Sequence, residues 1–139
     1  GADLVVDHTT ADLAEALAAH PPDIALDCVA GPELGRYLEL MAPGGRWVVI
    51  ATLGGSRAEL DINQFFRRGL RLIGSTLRSR SAAQKEAILA GLERLLWDDL
   101  ATGRVRPVID RVLPMAAAEE AHEVLERREN LGKVVLTLA

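Results

Sequence analysis

The sequence predicts an α/β domain built on a parallel sheet, and three observations carry that expectation. Two short runs, residues 24–30 (IALDCVA) and 46–52 (RWVVIAT), flank a stretch of helical length, which reads as strand, crossover helix and parallel strand. Both runs are apolar at successive rather than alternate positions, the pattern of strands covered on both faces. The chain also opens on an apolar run, Leu4-Val5-Val6, ahead of a helix pattern. The opening order is therefore strand, helix, strand, helix, strand.

The first predicted strand spans residues 4–7, with no turn or cap ahead of it, as in a chain cut from something longer. Thr9 and Asp12 give a cap-like start to a helix carrying Leu13, Ala16 and Leu17. Pro21-Pro22 ends it and delivers the chain to the strand at Ile24. Pro32 falls where a first helical turn tolerates a missing N–H, and Leu34, Leu38 and Met41 then share one helical face. Pro43-Gly44-Gly45 turns the chain back into the next strand.

Beyond Gly54-Gly55, Asp61 caps a short helix that holds Phe65 and Phe66 and closes at Gly69. Residues 70–76 form another strand, and Arg71 within it marks a sheet margin. Ser81 with Gln84 makes a capping box for a long helix whose apolar stripe is Ile88, Leu92, Leu95 and Leu96 and whose end is Gly103. Residues 105–113 alternate in part, as an antiparallel or one-sided strand would. A helix over about residues 117–128 and a last strand over 133–138 complete the chain. A soft boundary falls at residues 102–104.

Composition narrows the function classes. The chain has 139 residues, of which 49% are hydrophobic and 26% charged, an ordinary balance for a water-soluble domain. A net charge of −4 argues against a general nucleic-acid or membrane surface. One cysteine makes no intramolecular disulfide, so the default compartment is a reducing cytoplasm. No apolar run approaches the ~20 residues of a membrane span.

Open parallel sheets bind ligands beyond the carboxyl ends of their strands, which directs attention to residues 28–31 and 52–55. Small residues there suit close approach by a flat ligand, although a tight strand-to-helix turn would use them equally. Cys28 reads as a small core residue, with no neighbouring His or basic side chain to activate it. His8, His20 and His122 show no metal spacing with one another or with Cys28, so no metal site is predicted. His122, beside Glu119 and Glu126, reads as a surface ion pair. Asp27 ends a buried strand, where a carboxylate needs hydrogen-bond donors.

Several segments together resemble one family. They are Gly1-Ala2-Asp3, Leu26-Asp27-Cys28-Val29, Ala42-Pro43-Gly44-Gly45-Arg46, Leu53-Gly54-Gly55, the run 74–80 (GSTLRSR), Pro107-Val108-Ile109-Asp110-Arg111 and the run 130–135 (NLGKVV). The set is similar to the carboxyl-terminal part of zinc-independent NADPH quinone oxidoreductases of the medium-chain dehydrogenase/reductase superfamily. The resemblance implies a partial doubly wound, Rossmann-like parallel sheet flanked by helices, with a short C-terminal β-α-β tail. Residues 1–102 would be the later portion of a dinucleotide-binding domain, and residues 103–139 a tail belonging to the parent's catalytic domain. It also implies NADP(H) as cofactor and hydride transfer to a quinone or enone.

By resemblance, Val29, Ala30, Gly31, Leu53, Gly54 and Gly55 lie along the nicotinamide half of the cofactor. Leu77 and Arg78 resemble positions lining its nicotinamide end, with solvated charge or subunit packing as other roles for Arg78. Asn130 resembles a cofactor-contacting residue, and its local sequence equally suits a helix C-cap. No G-x-G-x-x-G occurs among the 12 glycines. The resemblance therefore places the start at the third strand of the dinucleotide fold, without the phosphate turn or the main catalytic residues, and the chain is expected to be inactive alone. Residues 4–7 would then pair directly with the strand at Ile24, and a homodimer would form through strand 70–76. The other readings are a class I methyltransferase, because LxxMAPGGR before a strand suits that fold too, and a non-catalytic dimerisation module.

Overall fold

Local capping chemistry starts two of the three helices of the first part of the chain. In this computed structural model, which describes residues 2–138, the Asp12 carboxylate accepts from Ala14 N and opens α1 (Leu13–Ala19). Asp61 accepts from Asn63 N and Gln64 N and opens α3 (Ile62–Arg67). Thr9 takes no part in a cap, because its amide and hydroxyl both donate to Asp7. Between these helices lie β1 (Ile24–Asp27), α2 (Leu34–Leu38) and β2 (Arg46–Val49), and β3 (Arg71–Gly74) follows α3. The three strands form one parallel sheet in the order β1-β2-β3.

Leu34, Leu38, Met41, Trp47 and Leu70 make the buried cluster, with Ala25, Tyr37, Val49, Leu60 and Phe65 packed against it. Leu38 and Met41 are fully enclosed, each contributing roughly 1.5–3 kcal/mol by burial. The predicted Leu34–Leu38–Met41 face is therefore the centre of this unit. The Arg68 guanidinium donates to the carbonyls of Glu39 and Met41, so the end of α3 satisfies the orphan carbonyls after α2.

Three expectations fail here, all for the same reason. Residues 4–7 form no strand and do not pair with β1; Leu4 and Val5 stay exposed. The sheet is not covered on both faces, because α2 and α3 both pack on the face bearing Ala25, Trp47 and Val49. The opposite face leaves Ile24 and Leu26 exposed, the latter at 71%. Cys28 continues that face beyond β1, one of the sheet's two edge strands, and is exposed rather than a core residue. Apolar runs report the capacity to be buried, and neighbours decide whether it is used.

The molecule divides into two compact units between Arg80 and Ser81. The second unit begins with α4 (Ala82–Ala101), whose capping box is complete: Gln84 N donates to Ser81 Oγ and Ser81 N to Gln84 Oε1. None of its residues is fully buried, and of the predicted stripe Ile88, Leu92 and Leu95 are exposed while Leu96 is half-buried. Then come β4 (Ile109–Pro114), a single 3₁₀ turn over Met115–Ala117, α5 (Ala118–Glu126) and β5 (Lys133–Thr137). β4 and β5 pair in parallel with α5 crossing between them and Ala121 and Val124 buried, the expected β-α-β tail, so of the two readings of residues 105–113 the one-sided strand holds and the antiparallel one does not. His122 on α5 is exposed and forms no ion pair among the described residues.

Candidate functional site

The carboxyl ends of β1 and β2 are joined by backbone hydrogen bonds. Leu53 N donates to Cys28 O at 3.2 Å and Gly54 N to Val29 O at 2.7 Å, so the two strand-end loops lie side by side. A Cβ on Gly54 would come within 2.9 Å of Val29 Cγ1, and one on Gly31 within 2.5 Å of Gly54 O. Gly31 also adopts φ +78°, so both space and backbone conformation demand glycine there. Of the predicted site residues, Val29, Ala30 and Gly31 are thus brought together with Leu53, Gly54 and Gly55. Val29 and Leu53 are exposed, flanking a floor of nothing larger than a methyl group.

Asp27 builds the first of these loops. Its Oδ1 accepts from Val29 N at 2.7 Å and Ala30 N at 3.0 Å, while its Oδ2 accepts from the Trp47 indole Nε1 at 2.9 Å. Ala30 is held at φ 52°, a left-handed conformation uncommon for a residue with a side chain. Partial burial pushes the Asp27 carboxyl up, but the donors of Ala30, Val29 and Trp47 outweigh it and hold the group below its ordinary value. Sequence reasoning foresaw that Asp27 accepts hydrogen bonds. It did not foresee that the bonds shape the site loop, although Asp two residues before a small-residue turn is an Asx-turn signal.

A cleft of about 520 Å³ opens beside this loop, lined among others by His8, Asp12, Asp27, Ala30, Tyr37 and Gly54. Its acidic groups are already engaged. Asp12 caps α1 and pairs with Arg36 at 2.9 Å, which lowers its pKa chiefly through the Ala14 amide. Leu77 and Arg78 lie in the turn following β3, at the same end of the parallel sheet, and Leu77 O accepts from Arg80 N at 3.3 Å. No group of three or more His, Cys, Asp or Glu side chains among the described residues is placed to hold a metal ion.

Asn130 belongs to the second unit, where its Nδ2 donates to Gly132 O at 2.7 Å. It is not the helix C-cap: Arg127 holds that position and Arg128 takes the left-handed turn at φ 55°. The neighbouring Leu131 N donates to Asp110 Oδ1 at 2.9 Å, and Lys133 N to Val108 O at 2.8 Å. Two separately conspicuous motifs, residues 107–111 and 130–135, are therefore one hydrogen-bonded structure.

Comparison with known proteins gives these geometries a context. The zinc-binding dehydrogenase family matches residues 1–136. Quinone oxidoreductase from Sus scrofa is 29% identical over 119 residues, covering 84% of this chain and 34% of that protein. Lovastatin diketide synthase from Aspergillus terreus is 30% identical over 119 residues, covering 84% of this chain and 5% of that one. Among solved structures, quinone oxidoreductase from Thermus thermophilus, described with its NADPH complex, aligns with a TM-score of 0.75 and 31% identity, over 91% of this chain and 40% of that one. The chain spans about a third of the length of the curated quinone oxidoreductases it matches.

Proposed function

This chain belongs to the zinc-binding dehydrogenase family, and from that premise we propose that it is the cofactor-side portion of an NADP(H)-dependent oxidoreductase. In this reading the whole enzyme reduces a quinone or enone, and residues 1–102 and 103–139 divide between its dinucleotide-binding and catalytic domains. The observation that carries the proposal is the apposition of Val29–Ala30–Gly31 and Leu53–Gly54–Gly55 at the carboxyl ends of two parallel strands. Relatives of quinone oxidoreductase type, one of them described with NADPH, support the choice of cofactor.

The residues present fit half of such a cofactor. A small, partly apolar floor offers a flat surface to a ribose–nicotinamide moiety. For the pyrophosphate the chain offers no Gly-rich turn. When bound, NADPH supplies the hydride; the protein seats and orients it. Ala30, Gly31 and Gly54 set how closely the ring approaches, and Val29 and Leu53 shield its edges from water. Leu77 and Arg78, after β3, would border the nicotinamide end.

Edge strand β3, exposed along its length, supports a homodimer joined along it. The single cysteine supports a cytoplasmic setting, and no helix among the described residues is long and apolar enough to cross a membrane. Family membership leaves the methyltransferase alternative without support. Titrating the purified chain with NADPH and, separately, with S-adenosylmethionine tests the reading. Saturable NADPH binding without turnover of a quinone is the expected result. Binding of S-adenosylmethionine, or of neither ligand at millimolar concentration, refutes it for this chain.

A further inference from the structure

The Asp27 carboxylate spends none of its hydrogen-bonding capacity on the sheet ladder. It stands at the end of β1 and engages its oxygens along two routes: Oδ1 to the amides of Val29 and Ala30, Oδ2 to the indole of Trp47 on β2. Trp47 is 6% exposed and wedged in the core, so it fixes the carboxylate's rotamer from the neighbouring strand. The carboxylate in turn fixes a turn that Ala30 would not adopt by preference, at φ 52°. Val29 O then receives Gly54 N at 2.7 Å, and Gly31 leaves only enough room for Gly54 O. One carboxylate therefore sets the first strand-end loop directly and the second through it. Asp27 also borders the cleft shared by Val29, Ala30 and Gly54.

Resting on the reading of these loops as a cofactor site, we propose that Asp27 is its positioning residue: the carboxylate holds the left-handed turn at Ala30 and so presents both loops to the nicotinamide half of NADPH. It touches neither cofactor nor substrate and acts only through the backbone it anchors. A residue serving stability alone would need no link to a strained loop; the core cluster already supplies stability to this unit.

The test uses the full chain in two arms. In the first, NADPH affinity is read by cofactor fluorescence for wild type, Asp27→Ala, Asp27→Asn and Leu38→Ala. Asp27→Ala weakens binding tenfold or more. Asp27→Asn, which keeps one oxygen for the loop amides, recovers at least half of that loss on a logarithmic scale. Leu38→Ala destabilises the same unit from the core and leaves affinity within twofold. In the second arm, which needs no cofactor, amide resonances are followed from pH 6 to 2. The Val29 and Ala30 amides and the Trp47 indole N–H track the Asp27 carboxyl carbon shift in wild type and lose that response in Asp27→Asn. His8, Asp12 and Glu33 line the same cleft. Each of these three is separated from Asp27 by following its own side-chain carbon resonances in the same experiment. Failure of wild type to bind NADPH sinks the functional reading, while the second arm still judges the loop anchor. Asp27→Ala binding within twofold of wild type, or loop amides indifferent to the Asp27 titration, overturns the proposal.

Discussion

Substituting Gly31 with alanine probes the closeness of the two strand-end loops, and Gly44 provides its internal control. Both residues have nearly the same left-handed backbone, φ +78° and +77°. A Cβ at Gly44 meets nothing within 4 Å, whereas one at Gly31 falls 2.5 Å from Gly54 O and 2.8 Å from Gly54 C. Gly44→Ala therefore isolates the conformational cost, about 1 kcal/mol after allowing for the stiffer unfolded chain. Gly31→Ala adds a contact that only backbone retreat of nearly 1 Å can relieve, at a further ~1–3 kcal/mol, the usual range for overpacking. Denaturant unfolding in a Trp97→Phe background leaves Trp47 as the sole tryptophan, which reports on the first unit. The expected result is Gly31→Ala less stable than Gly44→Ala by ~1–3 kcal/mol, a melting difference on the order of 4–20 °C for a unit of this size. Equal destabilisation, within about 0.5 kcal/mol, would mean that the loops are not in the apposition described, and the candidate site would lose its geometry.

Further outcomes follow from the same contacts. Leu38→Ala, at a side chain 2% exposed, destabilises the first unit by roughly 3 kcal/mol in the Trp47-monitored transition. Ser81→Ala removes one half of the α4 capping box and costs about 1 kcal/mol of helix stability, read as lost ellipticity and a lower midpoint. Asp27 and Asp110 both sit below the ordinary value of 3.8, Asp110 chiefly through the Leu131 amide and then Arg111. Their contributions are therefore complete above about pH 4 and are lost as the pH falls through the folded-state values. The Trp47 transition should weaken below pH 4, and less steeply in Asp27→Asn. Arg71 N and Ser75 N donate toward β2, so Leu72 N points to the open edge by strand alternation. Leu72→Pro should then abolish any β3-mediated dimer in sedimentation while sparing the β1-β2-β3 ladder; a dimer that survives it is joined elsewhere.

What the sequence made legible was whatever a few neighbouring residues decide among themselves. Asp12 and Asp61 cap their helices, Ser81 and Gln84 close their box, and Leu34, Leu38 and Met41 meet in the core, because spacing alone fixes those relations. The apposition of residues 29–31 and 53–55 was legible too, since two parallel strands in register must end side by side. Illegible were the questions settled by distant chain. Whether Leu26 and Cys28 are covered, whether residues 4–7 find a strand to pair with, and whether Leu92 and Leu95 meet a partner depend on what lies across from them. An apolar pattern cannot encode its own neighbour.

The same distinction separates the two kinds of motif in this chain. Asn130 and Asp110 stood out as members of family-like strings, yet each has a local role in the structure. Asn130 braces Gly132, and Asp110 ties Leu131 to the start of β4. Asp27 stood inside an apolar strand where a carboxylate is costly, and that cost is the better guide. A charged group kept at the end of a strand, held below its ordinary pKa by three donors, two of them from the loop it precedes, is placed to shape that loop rather than to fill the core. If the loop served only to reverse the chain, a glycine at position 30 would do so without an anchor. Ala30→Gly should then relieve the left-handed strain, raise stability modestly, and still weaken NADPH binding by loosening the platform. Unchanged or tighter binding in that variant would separate the turn's rigidity from its function and return Asp27 to a purely structural role.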